Sequence, residues 1–336
     1  MKAAVLHGVG QMAVERRNEP SPGPGEVTVR VRAAGICGTD QHIYHGHPGS
    51  AAVTPPIVLG HELAGIVAAL GEGVEGLKVG DRVSVDPNIY CGICRYCRDG
   101  RAHLCDRLAA VGVTRDGGMG ELCVVPAANC YVVPDTVSFA EAALAEPLGC
   151  VLHGFRKLTI RPDYTVLIVG GGFIGQLFLQ LAKASGARRI VVSEPDSGKY
   201  ETLRKLGADE TVNPLDAAAA AALASTADVV LECVGRPDSM TLAVEAAAKG
   251  AQVLLFGVAA PTTEIGIRPY DIFAKELRIF GSFINPYTHP DALALIDAGI
   301  VRVEPLVTHR FALDDMPAVM ADYPRLKVGK GLIVYE

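Results

Sequence analysis

The chain lacks three features that would each have narrowed its function at once. No apolar run reaches the roughly 18 residues that a membrane-spanning helix needs, so no membrane partner is expected. No block of like charges interrupts the 336 residues, in which 31 Lys and Arg stand against 37 Asp and Glu for a net charge of −6. Without a basic patch there is no electrostatic footprint for nucleic acid and no cationic face for a lipid surface. The opening residues, MKAAVLHGVGQMAVERR, hold neither a long apolar core nor a small-residue cleavage site. The expected location is therefore cytoplasmic.

What the chain does have is a change of rhythm. Hydrophobic residues make up 49% of it, and its length gives room for two domains of roughly 100–200 residues each. The first half offers short apolar or alternating runs (KAAVLH, EVTVRVRAAG, LAGIVAAL, DRVSVD, GELCVVPAANCYVVP) cut by Gly, Pro and Asp, a β pattern with frequent turns. Around residue 139 helical spacing begins in SFAEAALAEPLGCVLHGFRKL, with Pro147 expected to interrupt it. From residue 165 strands and helices alternate: TVLIVGGG, FIGQLFLQLAKASG, RRIVVSE and onward to LRIFGSF. Six buried strands with helical crossovers predict a parallel, doubly wound sheet, and the fold class is α/β. The tail, HPDALALIDAG and GKGLIVYE, is expected to pack back on the first domain.

Gly170, Gly172 and Gly175 spell G-x-G-x-x-G, with Phe173 and Ile174 before the last glycine, where a strand passes into a helix. Such glycines allow a tight turn and a close backbone approach to a pyrophosphate seated on the helix N-terminus. Glu194 ends the next strand 24 positions on. A carboxylate there accepts hydrogen bonds from ribose hydroxyls and repels a 2′-phosphate. Lys199, five residues later, offsets some of that charge. NAD is the expected cofactor, with NADP disfavoured.

Of nine cysteines, four fall at C-x2-C-x2-C-x7-C: Cys91, Cys94, Cys97 and Cys105. Short loops of this kind let thiolates converge on Zn²⁺ and close its shell, which makes a structural site. The ferredoxin run differs in its last gap and its following proline; here the gap is seven and Asp106 follows. Core cysteines are the other alternative, and Arg95, Arg98, Asp99 and Arg101 between them are too polar for a core.

His61 and Glu62 in GHELAG sit between the apolar runs PPIVLG and LAGIVAAL, which would bury them. Buried charges must be paired or bind metal. A catalytic zinc needs three protein ligands and an open position, and CGTDQH at 37–42 adds Cys37.

Taken in order, Cys-Gly-Thr-Asp-x-His, Gly-His-Glu-x-x-Gly-x5-Gly-x2-Val from Gly60 to Val74, the four-cysteine lobe and G-x-G-x-x-G resemble the zinc-dependent medium-chain alcohol dehydrogenase family along essentially the whole chain. Within it the chain is most similar to the sorbitol, other polyol and threonine dehydrogenases, because Glu146 of EPLGC stands where another branch has a cysteine ligand. The resemblance implies a catalytic zinc on Cys37, His61 and a glutamate, besides one structural zinc. Glu62 ranks as the resting ligand, and Glu146 as an exchanging ligand or one acting through water. Asp40 would orient the zinc-bound histidine, Thr39 would take the substrate proton, and His42 would pass it to solvent. Cys150, Cys123, Cys130 and Cys233 are expected in cores. The resemblance also implies a GroES-like catalytic domain at 1–147 and 287–336, a Rossmann NAD-binding domain at 148–286, and an active site between them.

The implied reaction is hydride transfer from an alcohol to NAD, with zinc as Lewis acid. Tyr44, His45, His47 and Ser50, in the loop IYHGHPGSAAVTPP, are expected to line the cleft and to hydrogen-bond hydroxyls. That favours a polyol or sugar alcohol, with L-threonine or a general secondary alcohol as alternatives. A zinc-stabilised NAD-binding sensor would have lost ligands that are intact here. A zinc-free quinone reductase would have no use for the four-cysteine lobe. The family implies a homotetramer, with a dimer as the alternative, through edge pairing of LRIFGSF.

Overall fold

A computed structural model describes residues 1–336. The chain divides into two compact units, Met1–Gly149 with Ile284–Glu336, and Cys150–Phe283.

The first unit is built on an irregular, mainly antiparallel sheet of seven strands. Its centre is the long strand Glu26–Ile36, whose alternating buried residues Val27, Val29 and Val31 face the core. This strand pairs antiparallel with Glu62–Leu70, with Leu122–Pro126 and with the C-terminal strand Gly331–Val334. Arg82–Val85 and Cys130–Val132 continue the sheet on one side, and His309–Phe311 ends it on the other. A smaller sheet of Lys2–Gly8, Gln11–Arg16 and Ile57–Val58 shares the core with it, around Leu6, Ile36, Leu59, Leu63 and Met119. The tail therefore returns to this unit as a strand in its main sheet.

Two registers in that sheet position chemistry. Gly331 lies opposite Ile36, which brings Lys330 to the end of the strand preceding Cys37. Gly35 lies opposite Glu62, so the glutamate side chain crosses a position without a Cβ.

The second unit is a six-stranded parallel sheet, ordered by residue range 210–212, 189–193, 165–169, 227–232, 247–255, 278–281. The central strand Thr165–Val169 is buried throughout, the pattern of a strand covered on both faces. Strand order reverses around it, and ligands of doubly wound sheets bind outside the carboxyl ends at such a switch point.

Pro147 does not interrupt its helix. The break falls one turn earlier, between Phe139–Ala143 and Ala145–Phe155, and Pro147 sits in the first turn of the second helix. Backbone N–H groups in a first turn have no intrahelical acceptor, so a residue without one costs nothing there. Of the four cysteines expected in cores, Cys123 is buried, while Cys130, Cys150 and Cys233 are half-buried. No helix is long and apolar enough to cross a membrane.

Candidate active site

Cys37 caps the helix Gly38–Tyr44, and the capping is done by the site itself. The Asp40 carboxylate accepts a hydrogen bond from the Cys37 backbone N–H at 2.8 Å. Its other oxygen accepts one from the Gly60 N–H at 3.3 Å and lies 3.5 Å from His61 Nδ1. A fully buried Asp40 thus ties the helix start to the turn that carries His61. Glu62 follows as the first residue of the next strand, and the donor atoms of Cys37, His61 and Glu62 lie within 4.8 Å of one another.

These donors suit a metal. His61 Nδ1 is buried without a hydrogen-bond partner, since 3.5 Å from Asp40 is too long for one. Burial opposes a charge on His61, but the Asp40 carboxylate and Cys37 outweigh it and raise its pKa well above the ordinary value. A cation is what this group of side chains calls for, and a thiol, an imidazole and a carboxylate form a zinc-type donor set.

Two residues that sequence reasoning did not single out complete the surroundings. A Cβ on Gly35 would stand 1.8 Å from Glu62 Oε2, so only glycine admits the glutamate in this position. Lys330, 4% exposed, donates to Glu62 Oε1 at 2.6 Å and to the Ile36 carbonyl at 3.1 Å. Its Nζ also stands 2.5 Å from Glu62 Oε2, an ion contact that lacks the direction of a hydrogen bond. Neither residue had a signal in the sequence, because pairing with Glu26–Ile36 is what brings both to Glu62.

Glu146 is buried in the first turn of Ala145–Phe155. It lies outside the 4.8 Å cluster, although its field helps to hold Lys330 charged. Thr39 and His42 are half-buried on the helix that Cys37 caps. Burial, then His47 and His45, lower the pKa of His42, so it is neutral at pH 7. The loop expectation fails at Tyr44. That side chain is buried, and its hydroxyl donates to the Gly10 carbonyl at 3.0 Å. His45 and His47 are exposed and Ser50 is half-buried.

The second cluster is local. Cys91, Cys94, Cys97 and Cys105 bring their sulfurs within 4.8 Å of one another inside a fifteen-residue excursion. Backbone N–H groups of Cys94, Cys97 and Cys91 point at the sulfurs of Cys91, Cys94 and Cys105 at 3.4–3.5 Å. Such N–H groups pull the Cys94 thiol down to about 6, while desolvation and the adjoining thiols push Cys97 up to about 12. Four thiols this close cannot all ionise without a cation among them, and one does so in a closed zinc site.

In the second unit, Gly170 turns the chain at φ +102° and Gly172 caps the helix Phe173–Ala184. A Cβ on Gly175 would lie 1.9 Å from the Gly170 carbonyl oxygen, whereas one on Gly172 would meet nothing. The turn is tight inside and open outside, which suits a pyrophosphate. Phe173 is buried and Ile174 half-buried in the first helical turn. Glu194 Oε2 accepts from the Gly171 N–H at 2.9 Å and Oε1 from the Asp196 N–H at 3.0 Å. Lys199 Nζ stands 3.2 Å from Oε2. The carboxylate is thereby fixed beside the glycine turn.

Known families match both parts of the chain. Residues 23–135 match the alcohol dehydrogenase GroES-like domain, and residues 174–298 the zinc-binding dehydrogenase family. The chain is 35% identical over 320 residues to sorbitol dehydrogenase of Arabidopsis thaliana, covering 92% of this chain and 87% of that one. It is 37% identical over 300 residues to L-threonine 3-dehydrogenase of Pyrococcus horikoshii, covering 87% and 86%. A protein from Sinorhizobium meliloti described as a zinc-binding dehydrogenase, solved bound to NADP, superposes with a TM-score of 0.95 at 37% identity over 99% of both chains.

Proposed function

Because the chain belongs to the zinc-dependent medium-chain alcohol dehydrogenase family, we propose that it oxidises a secondary alcohol of a polyol or sugar alcohol to the ketone, reversibly and with NAD as acceptor. The observation that carries the reaction is the set of half-buried Cys37 and buried His61 and Glu62 with donor atoms within 4.8 Å. Cys37, His61 and a carboxylate from Glu62 or Glu146 would hold one zinc, and the four cysteines another. Zinc supplies Lewis acidity towards a hydroxyl oxygen, and NAD supplies the hydride acceptor.

The chain's own residues do the rest. The Asp40 carboxylate stands 3.5 Å from His61 Nδ1, where its charge favours a proton on that nitrogen, and closes the helix that presents Thr39. The Thr39 hydroxyl takes the proton from the substrate hydroxyl, and neutral His42 receives it on the way to solvent. Glu194, held by two N–H groups, accepts the ribose hydroxyls and repels a 2′-phosphate.

A hydroxylated, uncharged substrate is favoured because the buried cation beside the metal ligands is already committed. Lys330 is spent on Glu62 and leaves no ammonium there for an amino-acid carboxylate. The remaining features of this reading are a cytoplasmic enzyme and a homotetramer, with a dimer as the alternative. The strand Arg278–Gly281 supports assembly, since it has a neighbour on one side only and an edge is a ready pairing surface.

Initial rates with pentitols, hexitols, a simple secondary alcohol and L-threonine, each with NAD and NADP, test this reading. Turnover of a polyol with NAD is expected, and Glu194→Ala should erode the preference for NAD over NADP by about tenfold, the worth of one charge-assisted hydrogen bond. Turnover of threonine alone would replace the substrate and leave the metal chemistry standing.

A further inference from the structure

Lys330 is a buried lysine aimed into a cluster of metal donors, and a cation there opposes the very ion the cluster would bind. Both Glu62 oxygens lie within 2.6 Å of its Nζ, and the Ile36 carbonyl, one residue before Cys37, takes a further hydrogen bond at 3.1 Å. Its place is not an accident of a flexible side chain. It follows from the antiparallel register of Gly331–Val334 on Glu26–Ile36, and the residue is 4% exposed.

Resting on the zinc reading above, we propose that Lys330 is a positioning residue that withholds Glu62 from the metal, leaving the ion a weaker ligand set and an open coordination position. The physical logic is competition for one carboxylate. An anionic ligand given wholly to zinc binds it tightly and spends its Lewis acidity. The same carboxylate shared with an ammonium is available to the metal without dominating it. The site thus holds zinc less tightly than its donors allow and keeps the ion reactive. The arrangement also explains why a lysine is tolerated beside a metal, since an unpaired buried ammonium would be costly.

The test is metal affinity at this site, read by competition with a chromophoric chelator, together with the absorption spectrum of the cobalt-substituted protein. Lys330→Met frees Glu62, and zinc is expected to bind about 10–100-fold more tightly, the range over which partners outside a ligand shell alter affinity. The cobalt bands should weaken as coordination expands, and kcat should fall with KM little changed. In a Glu62→Gln background most of the gain from Lys330→Met should vanish, because the two residues act through one another. Zinc affinity that is unchanged or weaker in Lys330→Met, or a gain that survives intact without Glu62, overturns the proposal. Should Lys330→Met fail to fold, Glu62→Gln alone decides. A loss below about tenfold fits a withheld carboxylate, while a loss of about a thousandfold or more marks a full ligand and overturns it. A wild-type chain that binds one zinc per chain sinks the metal reading itself. Two zincs with an unmoved affinity sink only the role of Lys330.

Discussion

The two donor clusters of the first unit are made in opposite ways. The four-thiol lobe draws every donor from residues 91–105 and stabilises its sulfurs with its own backbone N–H groups. The Cys37 cluster draws on the end of one strand, the start of another and a carboxylate that caps a helix, and a fourth segment delivers Lys330. The first is a closed shell of one ligand type in a surface excursion. The second is mixed and mostly buried, and its one carboxylate, Glu62, is paired with the Lys330 ammonium. A closed shell saturates its ion and makes it part of the fold. A mixed shell with a contested ligand leaves an ion with something still to do.

The largest expected effect separates these roles outright. Cys37→Ser should lower kcat/KM by at least about a thousandfold, the kinetic equivalent of several kcal/mol of Lewis-acid stabilisation. Its unfolding midpoint should barely move, and zinc content should drop by one. Cys97→Ser should likewise lose one zinc, yet its main consequence should be thermal, a fall of about 5–10 °C in the unfolding midpoint. Calorimetry and metal analysis on both variants check this. If either substitution damages activity and stability alike, the division of labour fails.

A smaller effect sharpens the comparison within the buried cluster. Asp40→Asn keeps the shape of the side chain but removes the charge beside His61. A drop of about 10–100-fold in kcat/KM and in zinc affinity is expected. Circular dichroism should stay near wild type, since an asparagine oxygen still accepts the Cys37 N–H.

A last effect, on stability rather than activity, concerns two buried polar groupings in the same unit. Asp86 accepts from the Asn88 backbone and side chain at 3.0 Å and from Asn285 at 3.3 Å, and Ser84 meets His289 at 2.7 Å. Burial raises the Asp86 carboxyl to about 6 and lowers the His289 imidazole to about 3. A raised Asp pKa means that the folded chain holds its proton more tightly than the unfolded one, so this group's contribution is lost as pH rises from about 4 to about 6. That is roughly 3 kcal/mol. A depressed His pKa has the opposite slope, and its contribution grows as pH rises from about 3 to 6.5. Wild-type stability is therefore the difference of two trends. Asp86→Asn removes the falling one, so its stability should climb more steeply between pH 4 and 6 by about that amount. Denaturant titrations across the range check this, and parallel slopes would refute it.

Residues that signal themselves by neighbours in the chain were legible. The lobe cysteines, the glycine turn and Glu194 need only a short stretch to suggest a chemistry, and the structure draws the four sulfurs together and sets Glu194 against the glycine turn. Pro147 misled because a proline reads as a break unless the helix start is known, and that start at Ala145 depends on the preceding short helix. Tyr44 misled because a polar group in a polar loop looks available. Its hydroxyl instead found the Gly10 carbonyl, thirty-four residues away, and the ring went into the core.

What the amino-acid order determined by itself was the α/β class, the two cysteine-bearing signatures and the family, since periodicity and spacing are properties of neighbours. Tertiary structure alone decided which groups share the buried cluster and on what terms. Lys330 and Glu62 are 268 residues apart, and they touch only because two strands flank Glu26–Ile36 in one register. No local pattern encodes a contact of that kind, because the pairing matters only once the formed sheet has taken both charges out of water, where each would be costly alone.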